Sequence, residues 1–380
     1  MQIEGSAPGE PGGPEPVRVI FDHLIFVEQK QGGITRYLAR LVEHLPEFAV
    51  VPKIVAPLYV SVRLQDLAPA KVWGRFIRSP SINKKRVAKV LGRLLTAPLA
   101  RRFRADILHE SYHSPVRTAP KDTKVVITVY DMTHEVFPDL FVPKGRVIQW
   151  KTASINRADW IICISENTRQ DVLRYHPHVA DRASVVHLGF DPPPPLPAVS
   201  ERPHERPYLL YVGMRRDYKN FTGLVDAFSA SERLRRDFDV VCIGDGAFQP
   251  GERDRLTKAG VAGKFLQFEA DDLALQRWYH HAHLFVYPSL YEGFGIPPLE
   301  AMAAGCPVVA MKVSSVPEVC GDAAEYALPG EPESLRTALE NVAYSPERAE
   351  TLRALGWERL KLFSWERCAQ ETSEVYRKLL

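Results

Sequence analysis

Short runs of consecutive apolar residues alternate along the chain with segments in which apolar residues recur every three or four positions. The apolar runs are rich in β-branched residues and lie at 17–22, 124–131, 160–165, 183–189, 208–213, 239–244, 264–269, 283–289 and 306–310. Helical spacing is clearest in 32–45, where the recurring residues are Ile34, Tyr37, Leu38, Leu41, Val42 and Leu45. Another helix is expected near 220–233. Uniformly apolar strands between helices predict parallel sheets that are covered on both faces.

A proline-rich stretch divides this pattern into two halves. The sequence FDPPPPLPAVSERPHERP at 190–207 has seven prolines in eighteen residues, which suits a stiff linker because proline fits neither a helix interior nor a strand ladder. The fold class is therefore α/β, with two doubly wound domains facing across a cleft that binds the ligand. The predicted segments are a disordered tail at 1–16, an N-terminal domain at 17–195, the linker at 196–207, a second domain at 208–363 and a C-terminal helix at 364–380 that can cross back to the first domain.

Composition narrows the class of protein. The chain has 380 residues, of which 45% are hydrophobic and 25% charged, as in globular proteins of two domains. No apolar run approaches the roughly 18 residues of a membrane-spanning helix. The five cysteines form no C-x-x-C pair, and Cys163 and Cys242 lie in apolar runs. We predict buried thiols in a reducing cytoplasm, and neither a disulfide framework nor a zinc site.

The stretch EGFGIPPLE at 292–300 lies between a predicted strand and a predicted helix. Its glycines, Gly293 and Gly295, let the backbone approach a ligand, and its two prolines suit the first turn of a helix. The N–H groups at such a helix start attract an anion such as phosphate. Glutamates at both ends of the stretch suit the hydroxyl groups of a sugar.

Carboxylates beside a phosphate repel it unless cations lie between them. Arg215 and Lys219 in VGMRRDYKN, 212–220, follow the first predicted strand of the same domain and can supply those cations. The combination suits a ligand that has hydroxyl groups at both ends and phosphates between them. A nucleotide sugar has this form.

Several motifs resemble those of one enzyme family. They are GGI at 32–34, ISENTRQD at 164–171, VGMRRDYKN at 212–220, CIGDG at 242–246, PSLYEGFGIPPLEAMAAGCPVVA at 288–310 and SSVPEVCGDAA at 314–324. In order and spacing they resemble the signature of the retaining family-4 glycosyltransferases, which have the GT-B fold of two Rossmann-like domains. The sequence is similar in style to bacterial mannosyltransferases of O-antigen and exopolysaccharide synthesis.

The resemblance implies roles for individual residues. Glu300 would bind the ribose, and Glu292 would face the transferred sugar. Arg215 and Lys219 would neutralise the diphosphate. The other donor-binding residues that the resemblance implies are Gly32, Gly33, Gly213, Phe268, Glu269, Phe294, Gly295 and Ile296.

One position departs from the family pattern. Many relatives have a His-Asp pair, or a histidine alone, where this chain has Tyr130 and Asp131. Asp131 matches the family's aspartate and is the expected acceptor-side catalytic group, whereas His134 is only nearby. His109 and His113, in LHESYHSP after a predicted strand, either contact the acceptor or have a structural role.

The family mechanism is a same-face displacement in which the departing phosphate helps to deprotonate the acceptor. Protein cations would replace Mg²⁺, so we expect no metal and no cofactor beyond the nucleotide-sugar substrate. The D-x-D sequence at Asp237–Asp239 is interpreted as a solvated turn before a strand. Two alternatives are a nucleotide-sugar epimerase of the same fold and, with less support, a dinucleotide-binding oxidoreductase, for which no G-x-G-x-x-G follows the first strand.

Charge is distributed unevenly. The net charge is +3, yet eleven Lys or Arg residues and no acidic residue lie between Asp66 and Asp106. In 83–104 the apolar residues Val87, Val90, Leu91, Leu94 and Leu95 recur at helical spacing, and Lys85, Lys89 and Arg93 lie on another face. One interpretation is a surface helix that packs its leucines on the domain. The other is an anionic membrane surface contacted through residues 71–104, which would make this a cytoplasmic protein peripheral to the inner face of the plasma membrane.

The acceptor is expected to be a glycan or a lipid-linked glycan. Nucleic acid is not an expected partner, because the basic segment lacks interleaved aromatic residues. GDP-mannose is the first expectation for the donor, and glucose, rhamnose and galactose donors remain alternatives.

Overall fold

The computed structural model describes residues 15–78, 81–141, 145–194, 196, 201–215 and 217–380. Most of the predicted tail at 1–16 and part of the predicted linker at 196–207 lie outside the described residues. All five cysteines are buried free thiols, which confirms the burial predicted for Cys163 and Cys242 from their apolar surroundings.

The strands of the described residues form two sheets. They are β1 (Val17–Phe21), β2 (Val50–Tyr59), β3 (Val72–Phe76), β4 (Ile107–Glu110), β5 (Lys124–Val129), β6 (Trp160–Cys163), β7 (Ala183–Val185), β8 (Tyr208–Val212), β9 (Asp239–Ile243), β10 (Phe265–Phe268), β11 (Leu284–Tyr287), β12 (Val308–Met311) and β13 (Ala324–Ala327). The orders are β3-β2-β1-β4-β5-β6-β7 and β10-β9-β8-β11-β12-β13. Both are parallel, doubly wound sheets, so the predicted fold class is confirmed.

The helices that cover the sheets follow the strands in chain order. They are α1 (Leu24–Glu28), α2 (Gly33–His44), α3 (Ile82–Arg102), α4 (Thr133–Val136), α5 (Arg146–Arg157), α6 (Glu166–Tyr175), α7 (Phe221–Ser229), α8 (Glu232–Asp237), α9 (Pro250–Lys258), α10 (Asp272–His281), α11 (Ile296–Ala303), α12 (Val316–Cys320), α13 (Pro332–Ala343), α14 (Pro346–Leu360) and α15 (Trp365–Lys378). α2 matches the helix predicted at 32–45. The single helix predicted near 220–233 is two helices, because Ser231 Oγ accepts from Leu234 N at 3.1 Å and starts α8.

Sequence patterns missed β2, although it is the longest strand of the first sheet. Its sequence contains Pro52 and Pro57, and proline is rare inside sheets because it cannot donate to the ladder. The register between β2 and β3 shifts between Val55 and Leu58, so the irregularity at Pro57 is absorbed there.

The packing of α3 differs in part from the surface helix predicted from the sequence. The face that packs on the domain contains small residues, with Ala88, Gly92 and Thr96 buried at helical spacing. Leu94 is 66% exposed, so the expectation that the leucines pack on the domain is wrong for Leu94, whereas Leu95 packs against the core as expected. A Cβ at Gly92 would lie 2.2 Å from the ring of His23 in α1's N-terminal turn, which explains why a small residue lies at this contact.

Two of the lysines expected to point into solvent are instead engaged by α1. Lys89 forms an ion pair with the Glu28 side chain, and Lys85 Nζ donates to Glu28 O at 3.1 Å. The outward face of α3 is therefore formed by valines, leucine and arginines rather than by these two lysines. This correction changes which residues are available to a membrane.

The described residues group into two compact units. One comprises the residues up to Thr128 with Trp150–Ile161 and Ala369–Leu380, and the other comprises Val129–Gln149 and Ile162–Cys368. The last residues of the chain thus group with the first unit. No helix among the described residues combines the length and apolar composition that crossing a membrane requires.

Candidate active site

The carboxyl edge of the second sheet brings together two loops. β8 and β11 are neighbours, and the strand order reverses between them. In doubly wound sheets, ligands bind outside the strand carboxyl ends at such a switch point. The loop after β8 contains Arg215 and Lys219, and the loop after β11 contains Glu292. A hydrogen bond from Leu290 N to Tyr218 O at 2.8 Å joins the two loops.

Lys219 and Glu292 form an ion pair at this edge. Lys219 Nζ lies 2.6 Å from Glu292 Oε1, and the two side chains are 18% and 12% exposed. Lys219 ends a short 3-10 turn, Asp217–Lys219. The structure thus brings together two predicted catalytic residues from opposite sides of the switch point, with one cation and one anion at the same place.

Hydroxyl groups fix the Glu292 loop. Glu292 N donates to Ser314 Oγ at 2.9 Å, and Ser315 Oγ lies 2.9 Å from both Glu292 O and Phe294 O. The Tyr287 hydroxyl bonds the Glu292 side chain. Burial, reinforced by Glu292, raises the pKa of Tyr287 well above its ordinary value, so the phenol keeps its proton and donates to the carboxylate.

Arg215 is buried, with its side chain 1% exposed. Its Nε lies 2.8 Å from Glu252 Oε1, and its terminal nitrogens donate to main-chain oxygens of 244–247 at 2.8 to 3.4 Å. The guanidinium also lies 4.8 Å from the ring centroid of Phe248. In this structure Arg215 therefore holds the loop after β9, and its contact with a diphosphate stays a prediction.

Gly213 directly follows β8 in a conformation that favours glycine. Its φ is 131°, and its N–H donates to Ile243 O at 2.9 Å. A Cβ built at Gly213 would meet no described atom within 4 Å. The space over Gly213 is consistent with its predicted place in a donor site.

Gly293 is enclosed by backbone and hydroxyl groups. A Cβ there would lie 1.9 Å from Tyr130 O and 3.0 Å from Asp131 Cβ. Ser165 Oγ and Thr168 Oγ1 donate to Gly293 O at 2.7 and 3.2 Å. Gly293 was predicted to let the backbone approach a ligand, whereas in the structure other segments of the chain itself occupy the space beside Gly293. Asp131 is thereby placed beside the Glu292 loop.

The start of α11 follows the predicted pattern. Gly295 precedes the helix with φ of 115°, Ile296 is its first residue, and Pro297 and Pro298 occupy the first turn. The main-chain N–H groups assigned to donor oxygens, those of Phe294, Gly295 and Ile296, therefore lie at this turn. Their binding of a donor stays a prediction.

Glu300 lies one turn into α11, and Tyr279 Oη lies 3.4 Å from its Oε2. Burial, with Glu300 as the next cause, raises the pKa of Tyr279 well above its ordinary value. A protonated phenol thus orients the carboxylate that was predicted to bind ribose. Phe268, at the end of β10, packs its ring 4.8 Å from Trp278, and Glu269 after it is exposed.

In the first unit, Gly32 and Gly33 lie at the start of α2, as predicted. Gly32 precedes the helix and its carbonyl accepts from Thr35 Oγ1 at 3.0 Å. A Cβ on Gly33 would meet no described atom within 4 Å. Their contact with phosphates stays a prediction.

The three histidines assigned to the acceptor side differ in their surroundings. His109 lies within β4, not after a strand, and is fully buried between Tyr376 Oη at 2.6 Å and Thr128 Oγ1 at 2.9 Å. Burial lowers its pKa to about 3, which favours the structural alternative. His113 is also buried, and half-buried His134 stacks 4.1 Å from Phe141.

The D-x-D sequence is engaged by protein groups, so its interpretation as a solvated turn is wrong for Asp239. Asp239 is buried at the amino end of β9, where its carboxylate lies 2.9 Å from His204 Nε2 and 3.4 Å from Lys264 Nζ. Asp237 bonds Arg236 and accepts from Tyr344 Oη at 3.0 Å. The described part of the chain has no group of three or more His, Cys, Asp or Glu side chains arranged to hold a metal ion.

Sequence reasoning missed the residues that support the Glu292 loop. They are Ser165, Thr168, Asp171, Tyr291, Ser314, Ser315 and Glu318. Glu318 receives hydrogen bonds at the start of α6 from Glu166 N and Asn167 N, at 2.7 and 3.2 Å. All seven residues lie in the motifs ISENTRQD, PSLYEGFG and SSVPEVCGDAA, which were recognised in the sequence. The sequence did not indicate which groups their side chains bond.

Two family patterns match consecutive parts of the chain. The family described as Glycosyltransferase Family 4 matches residues 31–193, and that described as Glycosyl transferases group 1 matches residues 194–356. The boundary between the two matches falls within the proline-rich stretch at 190–207.

Individual relatives agree with these matches. O-antigen chain mannosyltransferase B from Escherichia coli is 30% identical over 283 residues, which are 70% of this chain and 74% of that protein. The structure of sucrose-phosphate synthase from Thermosynechococcus elongatus superposes with a TM-score of 0.70 and 19% identity, covering 96% of this chain and 99% of that one.

A third relative was solved with ligands. Alr3699/HepE from Anabaena, in complex with UDP and glucose, superposes with a TM-score of 0.66 and 15% identity, covering 95% of this chain and 99% of that one. At such identities the structural matches support the fold alone. Together with the two family patterns and the 30% identical relative, they show that the chain belongs to the family-4 glycosyltransferases of the GT-B fold.

Proposed function

We propose that this glycosyltransferase moves a hexose from a nucleotide-diphosphate sugar to a hydroxyl group of a glycan or lipid-linked glycan, with retention of anomeric configuration. The Lys219–Glu292 pair at the switch point carries this proposal, because it places a cation for phosphate and a carboxylate for sugar hydroxyls within 2.6 Å. The name of the relative from Escherichia coli supports mannose, so GDP-mannose is the proposed donor and bacterial surface polysaccharide the proposed product.

The proposed reaction exchanges two bonds at the anomeric carbon. The bond from this carbon to the diphosphate oxygen breaks, and the bond to the acceptor oxygen forms on the same face. The acceptor proton goes to the departing phosphate. Lys219 stabilises the negative charge that grows on the leaving group, and Glu292, held by Lys219 and Tyr287, positions the sugar. Asp131, beside Gly293, is the proposed acceptor-side group.

We also propose that transfer needs no divalent metal, because Lys219 supplies the positive charge at the leaving diphosphate. Activity should persist in excess EDTA and should not increase when Mn²⁺ is added. Loss of activity in EDTA with recovery on addition of Mn²⁺ would contradict this part of the proposal.

The donor can be identified from binding. Thermal-shift measurements with GDP-mannose, UDP-glucose, UDP-galactose and dTDP-rhamnose should show selective stabilisation, since a ligand at a hundredfold excess over its Kd stabilises by about 2.7 kcal/mol. Glu300→Ala should weaken binding of the nucleoside diphosphate about tenfold to hundredfold, measured by calorimetry, because a hydrogen bond to a charged group contributes about 1.5–3 kcal/mol. Unchanged affinity in a folded variant would remove Glu300 from the ribose site.

Part of the basic segment at 71–104 is proposed to contact an anionic membrane surface, at the inner face of the plasma membrane, through the outward face of α3. Val87, Val90 and Leu94 are 52%, 53% and 66% exposed there. Exposed Arg86 and Arg93 lie beside them. Apolar residues flanked by arginines suit the boundary between lipid headgroups and acyl chains, with the charges attracted to anionic lipid.

The packing of α3 supplies a matched control for this proposal. Arg86→Gln with Arg93→Gln should reduce co-sedimentation with phosphatidylglycerol vesicles more than tenfold at low salt, since each basic residue contributes about 1 kcal/mol. Lys85→Gln with Lys89→Gln should change it little, because Glu28 already engages both lysines. Equal losses in the two variants, or no binding by the wild type, would contradict the proposed surface.

A further inference from the structure

The Tyr291 hydroxyl joins two segments that contain predicted catalytic residues. It accepts from Met132 N at 3.1 Å and donates to Asp171 Oδ2 at 2.7 Å. Tyr291 immediately precedes Glu292 in the loop after β11, and Met132 immediately follows Asp131 after β5. One side chain thus links both neighbourhoods, and α6, which contains Asp171, anchors it.

Gly293, in the same loop, also contacts both α6 and the segment that contains Asp131. Its carbonyl accepts from Ser165 Oγ at 2.7 Å, and a Cβ added to it would lie 1.9 Å from Tyr130 O and 3.0 Å from Asp131 Cβ. Ser165 also begins α6, where its Oγ accepts from Thr168 N at 3.0 Å. The first two turns of α6 therefore hold the Glu292 loop at the two residues that flank Glu292, Tyr291 through its side chain and Gly293 through its carbonyl.

We propose that Tyr291 is a positioning residue for sugar transfer, with its hydroxyl fixing the Asp131 segment and the Glu292 loop in productive register through Met132 N and Asp171. The inference rests on the proposed function of this site. The proposed role of the Tyr291 hydroxyl is to set the geometry of these two segments, since its partners are Met132 N and Asp171 Oδ2. Misplacement of a reacting group by about 1 Å can reduce turnover by 10²-fold.

The hydroxyl acts as a fixed donor to Asp171. Tyr291 is buried, and burial together with the hydrogen bond to Asp171 holds its pKa well above the ordinary range for tyrosine. The phenol therefore keeps its proton throughout the pH range of an enzyme assay. Asp171 also accepts from Asn167 Nδ2 at 3.1 Å, so its carboxylate is oriented independently of Tyr291.

The test compares two tyrosines of the same unit. Tyr291→Phe should lower kcat about tenfold to hundredfold while KM for GDP-mannose changes less than about twofold, because positioning is lost but donor contacts remain. Turnover is measured as GDP release with methyl α-mannoside as acceptor. Tyr175→Phe is the control. The Tyr175 hydroxyl, on α6, donates to Glu135 O at 3.0 Å, and among the described residues it has no hydrogen bond to the Glu292 loop. The kcat of Tyr175→Phe should equal that of the wild type.

A conservative change at the partner separates position from charge. Asp171→Asn keeps an oxygen that can accept from Tyr291 and should retain most of the turnover, whereas Asp171→Ala should match Tyr291→Phe. An unchanged kcat in Tyr291→Phe, a rise in KM proportional to the loss of kcat/KM, or an equal loss in Tyr175→Phe would overturn the positioning role alone. A wild type that consumes no nucleotide sugar would overturn the proposed function, and the positioning role with it.

Discussion

The two sheets place titratable residues at the same topological position, with opposite outcomes. In the first sheet the order reverses between β1 and β4, and Asp22, His109 and Glu110 lie at that edge. In the second sheet it reverses between β8 and β11, where Lys219 and Glu292 lie. The first group is 3% exposed or less, whereas the side chains of the second group are 12–18% exposed.

In the first sheet the protein itself satisfies the polar groups. Asp22 Oδ1 accepts from Leu24 N and Ser111 N at 3.1 Å each, and Glu110 forms two hydrogen bonds with Arg157 at 2.8 and 2.7 Å. Burial nevertheless raises the pKa of Glu110 to about 7. A strand end at a switch point therefore does not suffice for a ligand site, since a site needs charged groups that remain partly accessible. The first group is bonded within the protein, and the second group suits binding.

Replacing Arg215 tests whether this predicted site residue has a structural role, like the buried polar residues of the first sheet. Arg215→Ala should lower the free energy of unfolding by about 3–5 kcal/mol, because it leaves Glu252 and the carbonyls of 244–247 without their donor. Arg255→Ala is the control, since its pair with Asp226 is exposed and should contribute less than about 1 kcal/mol. Urea denaturation measures both. If Arg215→Ala is as stable as the wild type but binds the donor less tightly, Arg215 is a donor-binding residue, as is proposed for Lys219.

Lys219→Ala should reduce kcat/KM by about 10²- to 10³-fold, the usual loss when one stabilising donor for a developing anion is removed. Stability should change less than in Arg215→Ala. Lys361→Ala provides the control, because Lys361 forms only an exposed pair with Glu358 and should leave turnover unchanged. Full activity of Lys219→Ala would show that its pair with Glu292 is structural, as in the first sheet.

Gly293→Ala should reduce turnover by about 10²-fold, because its Cβ would lie 1.9 Å from Tyr130 O and must displace the Glu292 loop. Gly263→Ala places a methyl group where no described atom lies within 4 Å, and should be neutral. Circular dichroism would check that both variants fold. Normal turnover by Gly293→Ala would mean that the loop can move without loss of the site.

Replacing His109 should have the smallest effect of these changes, and it should appear in how the free energy of unfolding depends on pH. Burial lowers its pKa to about 3 from 6.5, so the unfolded chain binds a proton that the folded one does not. The contribution of neutral His109 to the free energy of unfolding is therefore fully present above pH 6.5, and it is lost as the pH falls from 6.5 toward 3. Between pH 7.5 and 5.5 the loss should be about 1.4 kcal/mol, and His109→Gln should lack this component in urea denaturation at the two pH values. An unchanged pH dependence would show that His109 is accessible to protons, as a ligand-binding histidine would be.

Much of the fold followed from the apolar pattern. Strands with uninterrupted apolar residues, such as β5, β9 and β11, were predicted because burial on both faces requires that composition. β2 was missed because two prolines interrupt it, and its register shift is a property of the paired strands. The buried face of α3 was predicted only in part because Gly92 packs against His23, and a pattern of large apolar residues does not contain that information.

For the candidate site, too, some features were predictable from the sequence and others were not. The sequence by itself determined the residue types and their loops: Glu292, Lys219 and Glu300 follow strands or begin a helix, where local spacing predicts them. Tertiary structure alone decided their partners, since Lys219 and Glu292 are 73 residues apart and Tyr291 and Asp171 are 120 apart. It also decided that His109 is a core residue and that Arg215 holds a loop. Burial and hydrogen bonding depend on segments distant in the chain, so no local pattern contains them.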